Sequence, residues 1–364
     1  VIILICLACS CIFGFILFSK VQLNNQESAK DEGSKVSVII PARNEEASLP
    51  FLLDSLMTQT VKPYEIIVID DMSSDRTYEI AAGYGVKVIR IMELPENWTG
   101  KSWALWNGVR ESSGDILVFF DTDVRLAPEA LETLLQARAE TGGAISVVPY
   151  HKTSEFYEKF SLIPYLLGVL AFTSPFERKS KKKGLYGSCI VMTREAYSKI
   201  EGHDSVKSEV LDDLTLGNKL SEAGIHVENF IGNNYVSFRM YPGGLRSELQ
   251  GFGKSAVLSM SNLRPLTILS IAIWFAGLLA VEFIAPFTLI FGSKYAIPFV
   301  FGYILYTLQI FYFLQYSGDY GKVMPALHML SSAFFIVVML YSYYQVTFTG
   351  SVIWKGRQVK IGRK

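Results

Sequence analysis

Two kinds of hydrophobic text alternate along this chain. Between Val36 and about residue 140, short apolar runs rich in β-branched and aromatic residues alternate with amphipathic stretches. Val36–Ile40, Glu65–Asp70, Val86–Ile91 and Ile116–Phe120 read as strands. Glu45–Met57, Asp75–Ala82, Lys101–Glu111 and Pro128–Ala139 read as the helices between them. Strands that are apolar on both faces and separated by helices are the pattern of a parallel sheet covered on both sides. The expected fold class is therefore α/β, with a Rossmann-like, mostly parallel sheet of doubly wound character.

Elsewhere the hydrophobic runs are much longer. Val1–Phe18, Pro265–Phe291, Ala296–Tyr316 and Val323–Phe348 are almost wholly apolar. About 20 such residues suffice to cross roughly 30 Å of hydrocarbon. The expected organisation is a transmembrane anchor at 1–19, a soluble domain at 35–260, two or three transmembrane helices within 264–348 and a basic tail at 349–364. No small-residue cleavage site follows Val1–Phe18, and Lys20 comes next, which favours an uncleaved anchor with a cytoplasmic downstream side over a signal peptide. Three later spans would then put the tail outside, although Lys355–Lys364 carries five positive charges and no acid. That conflicts with the positive-inside tendency. One of the three is expected to dip and return or to lie along the surface, and Pro265–Phe291 is the candidate because it holds Glu282 and Pro286. Glu282 in an apolar run is also a functional hint.

Composition changes this picture little. Half the residues are hydrophobic, and 34 basic against 34 acidic residues leave a net charge of zero, so no bulk electrostatic attraction to nucleic acid is expected. The Lys179–Lys183 cluster is expected among anionic headgroups. The four cysteines form neither a disulfide framework nor a zinc spacing, and His151, His203, His226 and His328 carry no metal signature.

The chemistry collects at the strand ends. Ile116–Phe120 runs directly into Asp121-Thr122-Asp123. Two carboxylates one residue apart at a buried strand's end can hold Mg²⁺ or Mn²⁺, hard cations that take a carboxylate or two plus a substrate's phosphates. A nucleotide diphosphate is the natural client. The first strand ends in Pro41-Ala42-Arg43-Asn44-Glu45 and the second in Asp70-Asp71-Met72-Ser73-Ser74-Asp75. Ligands of open α/β sheets bind beyond the carboxyl ends of the strands. Helix capping accounts for Asp70 or Asp75 alone; it does not explain why all three ends are acidic or polar together.

Taken with Gly100-Lys101, these blocks resemble family 2 glycosyltransferases, which have the A-type nucleotide-sugar fold. The resemblance extends through Leu211-Asp212-Asp213-Leu214-Thr215-Leu216-Gly217, similar to the family's acidic base motif, to Phe238-Arg239-Met240-Tyr241 and Trp354-Lys355-Gly356-Arg357-Gln358. The last two look most like the membrane-bound branch that glycosylates polyisoprenoid lipids, carotenoid acids among them. A Gln-x-x-Arg-Trp block of processive synthases has no clean copy here. Met72 stands where the family has glycine, which suggests a differently shaped loop.

The resemblance implies a membrane-bound, inverting enzyme that moves one sugar, glucose by expectation, from a UDP-sugar to a membrane lipid acceptor, with a multi-pass cell-membrane location and a cytoplasmic catalytic domain. It implies Asp71 on the nucleobase beside Pro41 and Ala42, with Asn44 and Glu45 in the same donor site. Asp121 falls on the ribose or the metal, Asp123 on the metal, and Lys101 and Arg239 on the diphosphate. Asp213 is the expected base, Asp212 its rival and Glu209 a third choice. Acceptor alternatives are a polyprenyl phosphate or diacylglycerol, and from another class the chain is a non-catalytic nucleotide-sugar-binding membrane protein. Phe160–Phe176, apolar and placed between Asp123 and Asp213, cannot span without dividing one site across the bilayer, so it is expected as an interfacial or core helix.

Overall fold

The computed structural model describes residues 2–24, 33–178, 180, 182–260, 262–354 and 357–360. They pack as two compact units, one of Val21–Tyr150, Lys181–Arg239 and Tyr344–Lys364, the other of Val1–Lys20, His151–Ser180 and Met240–Tyr343. Residues 151–180 and 240–260, inside the stretch expected to be one soluble domain, thus pack with the long apolar helices.

The first unit is built on a sheet of β1 (Val36–Ala42), β2 (Glu65–Asp71), β3 (Lys87–Ile91), β4 (Ile116–Phe120) and their later partners. A short β5 (Val124–Leu126) follows, then β6 (Ala144–Val148). β7 (Tyr150–Lys152) precedes β8 (Cys189–Thr193), β9 (Val227–Ile231) and β10 (Val236–Phe238). The seven-stranded order is β3-β2-β1-β4-β8-β6-β9. β1 lies parallel to β2 and β4, with Val38 opposite Ile66 and Val118. β8 runs antiparallel to both β4 and β6. The sheet is therefore mixed, and the antiparallel strand matters: it brings the chain just before Cys189 to the end of β4, where Asp121 N–H donates to Ser188 O at 3.0 Å.

The β1, β4 and β6 cores are buried, as two-sided apolar runs require. The Gly100–Arg110 helix lies close on this sheet because Gly108 has no side chain; a Cβ there would stand 2.6 Å from Ile39 and Ile69. Thr99 caps the helix, its Oγ1 accepting from Ser102 N–H at 3.3 Å. β10 pairs antiparallel with β5, Phe238 opposite Val124, and so carries Arg239 to Asp123. Of the basic tail, Ser351–Trp354 and Arg357–Lys360 pair as an antiparallel hairpin, while Lys355, Gly356 and 361–364 lie outside the described residues.

Among the described residues three helices are long and apolar enough to cross a membrane, Pro265–Ile290, Ala296–Ser317 and Met324–Thr349, and all belong to the second unit up to Tyr343. Ile2–Leu17 is a shorter apolar helix of 16 residues. Pro265–Phe291 does not dip and return, which leaves lying along the surface as the other course expected of it. It forms one unbroken 26-residue helix through Pro286, with no turn at which to reverse. Glu282 is accommodated by partners, since it is buried against His328 and accepts from Ser332 Oγ at 2.8 Å. Trp274 donates to Gln309 Oε1 at 2.7 Å, and Gln309 donates to Cys11 O at 2.7 Å. Gly14 leaves room for both side chains, an approach typical of helices packed in lipid. Leu162–Thr173, 12 residues or about 18 Å long, is too short to span and is buried on nearly every side. It is a core helix of this unit.

Candidate active site

Five of the expected residues converge on a cleft in the sheet unit, whereas Ala42, Asn44, Glu45, Asp71, Asp123 and Arg239 are not among its lining residues. Pro41, Lys101, Asp121, Asp212 and Asp213 line it, with Gly187 and His203. Asp121 leaves β4 and meets Lys101 from the first turn of the Gly100–Arg110 helix, Nζ to Oδ1 at 2.8 Å. Burial works against the charge of Lys101, but Asp121, Asp212 and Asp213 together outweigh it and hold the ammonium above its usual range. One lysine thus senses three carboxylates from two distant segments.

Asp123 sits where β5 begins, and its backbone O accepts from Arg239 N–H at 3.3 Å. Arg125, which the sequence reading passed over, is placed electrostatically beside Asp123, Glu45 and Arg239. Burial lowers its affinity for a proton, the two carboxylates raise it and Arg239 lowers it again. Its guanidinium also covers the Phe51 ring at 4.7 Å. The signal was present in the text only as closeness in sequence, since Asp-Thr-Asp-Val-Arg places Arg125 two residues after Asp123, across the turn that leads into β5.

The loops after β1 and β2 hold each other. Asn44 N–H donates to Ser73 Oγ at 3.0 Å, while its Oδ1 accepts from Ser74 N–H at 2.8 Å. Glu45 N–H donates to Thr77 Oγ1 at 2.7 Å. Arg43 donates to the carbonyls of Asp71 and Met72 at 2.7 and 3.2 Å. The carboxamide oxygen of Asn44 therefore ties loop to loop. Asp70 is structural in the same sense, fully buried, accepting from Ser73 N–H at 3.1 Å and 3.4 Å from Arg90 Nε. Asp71, at the end of β2, is also buried, and Ala42 closes β1 beside it.

Met72 takes φ +53°, in the left-handed region that glycine favours. Such a backbone costs a residue with a Cβ about 1–2 kcal/mol. Packing of the Met72 side chain on the buried core of Ile69 and Ile91 offsets that cost.

At the far side, Asp212 and Asp213 open the Asp212–Glu222 helix. Asp213 Oδ1 accepts from Leu214 N–H at 2.9 Å, and Asp212 is buried, 4.0 Å from His203 Nε2. Gly187 lies against Asp213, where a Cβ would stand 2.3 Å from its Oδ2. Nothing in the sequence pattern marked Gly187 or His203. Glu209 is exposed and does not line this cleft, so it drops from the candidates for a base. Of the cluster expected among headgroups, Lys182 is exposed and Lys183 is not. Lys183 is buried and paired with Glu228 at 3.0 Å because β9 offers a carboxylate there; Lys179 and Lys181 lie outside the described residues.

Among the described residues no group of three or more His, Cys, Asp or Glu side chains forms a metal cage. The donor set at Asp121 and Asp123 is two hard oxygens, which fits a cation that also takes oxygens from a bound phosphate.

The family description "Glycosyl transferase family 2" matches residues 37–201. A 4,4'-diaponeurosporenoate glycosyltransferase of Staphylococcus haemolyticus (strain JCSC1435) is 34% identical over 97% of this chain and 96% of its own. The chain belongs to glycosyltransferase family 2. A second relative in the family, the 4,4'-diaponeurosporenoate glycosyltransferase of Staphylococcus aureus (strain USA300), is 30% identical over 100% of this chain and 97% of its own. Among solved structures, a mannosyltransferase from Pyrobaculum calidifontis, in complex with GDP-Man and Mn²⁺, has a TM-score of 0.54 at 16% identity, covering 94% of this chain and 98% of that one. That likeness establishes the A-type fold of this family member.

Proposed function

We propose that this enzyme works at the cell membrane, with its catalytic unit cytoplasmic, and transfers one glucose from UDP-glucose to the carboxylate of a carotenoid or similar polyisoprenoid acid, with inversion. The observation that carries the reading is the convergence of Lys101, Asp121, Asp212 and Asp213 on one cleft in a chain similar over its whole length to the named staphylococcal enzymes. The three long apolar helices support a membrane-held acceptor.

In this reading Asp71 and the Pro41-Ala42 backbone receive the base of the nucleotide. Asp123 and Asp121 hold Mg²⁺ or Mn²⁺, which when bound offsets charge on the departing diphosphate. Lys101, in the first turn of its helix, adds an ammonium and a helix N-terminus to the same phosphates. Arg125 and Arg239 add positive charge beside Asp123. An acceptor oxygen attacks the anomeric carbon, the carbon–phosphate-oxygen bond breaks, and UDP leaves with the electron pair.

Asp213 takes the proton where the acceptor is a hydroxyl. A free carboxylic acid titrates near 4 and is already ionised at neutral pH, so it needs no base. Mass spectrometry of lipid products, with a panel of UDP-sugars, Mn²⁺ and either a carotenoid acid or a lipid alcohol, tests the proposal. Hexose on the carotenoid acid, lost in Asp123→Ala, supports it. Sugar on the alcohol alone moves the protein to glycolipid synthesis, and no metal-dependent transfer refutes catalysis of this kind. Asp213→Asn is expected to abolish transfer to the alcohol and largely spare transfer to the acid.

A further inference from the structure

A histidine stands at the back of the cleft. His203 lies on the turn Gly202–Val206 and is buried. Its backbone N–H donates to the Tyr197 hydroxyl at 3.0 Å, and its Nδ1 lies 2.9 Å from the same oxygen. Gly202 permits this clamp, because a Cβ there would fall 2.1 Å from the Tyr197 ring. Phe119 fixes the imidazole from another side, edge to face with centroids 5.6 Å apart. Nε2 faces Asp212 Oδ2 at 4.0 Å, with both side chains buried.

We propose that His203 is a positioning residue for the reaction. The Tyr197 hydroxyl, already accepting the backbone N–H, gives its own proton to Nδ1. The ring proton therefore resides on Nε2 and tethers Asp212. Asp212 in turn fixes the first turn of the Asp212–Glu222 helix, so that its neighbour Asp213 is presented to the cleft. This rests on the reading of Asp213 as the base. It also assigns the two adjacent aspartates different tasks: Asp212 is held from behind, and Asp213 is left for the acceptor.

The separation of 4.0 Å is long for a hydrogen bond. Contacts of this kind commonly shorten when substrates complete a site. Burial, aided by Lys101 and opposed by Asp212, pushes His203 down to about 4. The ring is therefore neutral near pH 7, and it serves Asp212 as a directed N–H donor while Lys101 supplies the positive charge.

Two measurements on the full chain test this. In ¹⁵N spectra of histidine-labelled protein, the His203 signal, assigned by its loss in His203→Gln, is expected to show the Nε2–H tautomer; an Nδ1–H tautomer overturns the assignment without reference to turnover. In kinetics with hydroxyl acceptors, meaning a lipid alcohol or water in uncoupled hydrolysis of UDP-glucose, His203→Phe is expected to lower kcat by up to about 100-fold with the donor KM little changed. His203→Gln, which can place an N–H near the Nε2 position, is expected to recover most of that loss. A wild-type kcat in His203→Phe overturns the proposal. So does a His203→Gln protein that melts normally yet is no better than His203→Phe. Wild-type protein that transfers nothing would sink the glycosyl-transfer reading itself, and the tautomer would still decide the His203 assignment.

Discussion

Gly187→Ala is the sharpest perturbation this cleft offers. Gly187 is not among the described residues with positive φ, so alanine is allowed by its backbone. Space is what forbids it. The added methyl would stand 2.3 Å from Asp213 Oδ2, 3.0 Å from its Cγ and 3.3 Å from its Cβ. Relief requires the carboxylate to retreat by about 1 Å, and a misplacement of that size near the chemistry costs about 100-fold in rate. That corresponds to about 2.7 kcal/mol of lost transition-state stabilisation. Stability should change little, because the clash falls on the end of a side chain that lines a cleft, and a compatible glycine-to-alanine change stiffens the unfolded chain. The assay is UDP release with a lipid alcohol, and with water in uncoupled hydrolysis, alongside a melting curve. The expected result is a kcat down about 100-fold for both hydroxyl acceptors, a nearly unchanged donor KM and a nearly unchanged Tm. Transfer to a carotenoid acid should be largely spared. Undiminished kcat on the alcohol would refute the argument: Asp213 could then move by about 1 Å without consequence, and the role of base would pass to Asp212.

Further outcomes follow from the same geometry. Chelation should abolish transfer and either Mg²⁺ or Mn²⁺ should restore it, whereas Asp123→Ala should stay inactive at any metal concentration; full activity in chelator would remove the metal from the reading. Lys101→Met should cost about 10²–10³ in kcat, the usual effect of removing one group that stabilises developing charge, and Lys101→Arg should cost less; equal losses would mean that size and not charge is what matters there. Glu248, buried with Glu158 nearby and only partly relieved by Ser161, is pushed up from 4.5 to about 8. The native state therefore holds a proton that the unfolded chain releases between those values, so stability should fall as pH rises from about 5 to 8. Glu248→Gln should flatten the dependence of Tm on pH across that window, and an unchanged slope would contradict the assignment.

Much of the catalytic unit was legible because its signals are local. Ile116–Phe120 forms a strand with those bounds, β1 and β2 run two residues and one residue past their expected ends, and β3 begins one residue late, because continuous β-branched runs are the mark of strands buried on both faces of such a sheet. Helix starts were less legible. Glu45–Met57 begins in the structure at Leu49, since Asn44, Glu45 and Glu46 spend their backbone groups on the neighbouring loop. Long-range partners left no trace in the text. Lys183 beside Glu228, His203 beside Asp212 and Gly187 beside Asp213 each join segments whose spacing says nothing about contact. Glu282 was rightly marked as costly in an apolar run, but the partners that meet the cost, His328 and Ser332, lie far along the chain.

Charge balance links the cleft to its proposed substrate. Asp121, Asp123, Asp212 and Asp213 bring four carboxylates, against which stand Lys101, Arg125 and Arg239. A diphosphate entering this group adds negative charge beside carboxylates already gathered there. Lys101 cannot serve everyone at once, since its 2.8 Å contact with Asp121 competes with any contact to phosphate. Were Asp121 and Asp123 to hold a divalent cation, as proposed, it would supply the counter-charge for Asp121 and would leave the Lys101 ammonium available to phosphate oxygens. The order of events is therefore testable. With Mn²⁺ present, Lys101→Met should weaken binding of UDP; without metal it should matter far less, because the lysine is then engaged by Asp121. Titration of UDP by calorimetry in four arms, wild type and Lys101→Met with and without Mn²⁺, measures this coupling. Equal effects of the mutation in both metal states would show that Lys101 and the cation act independently.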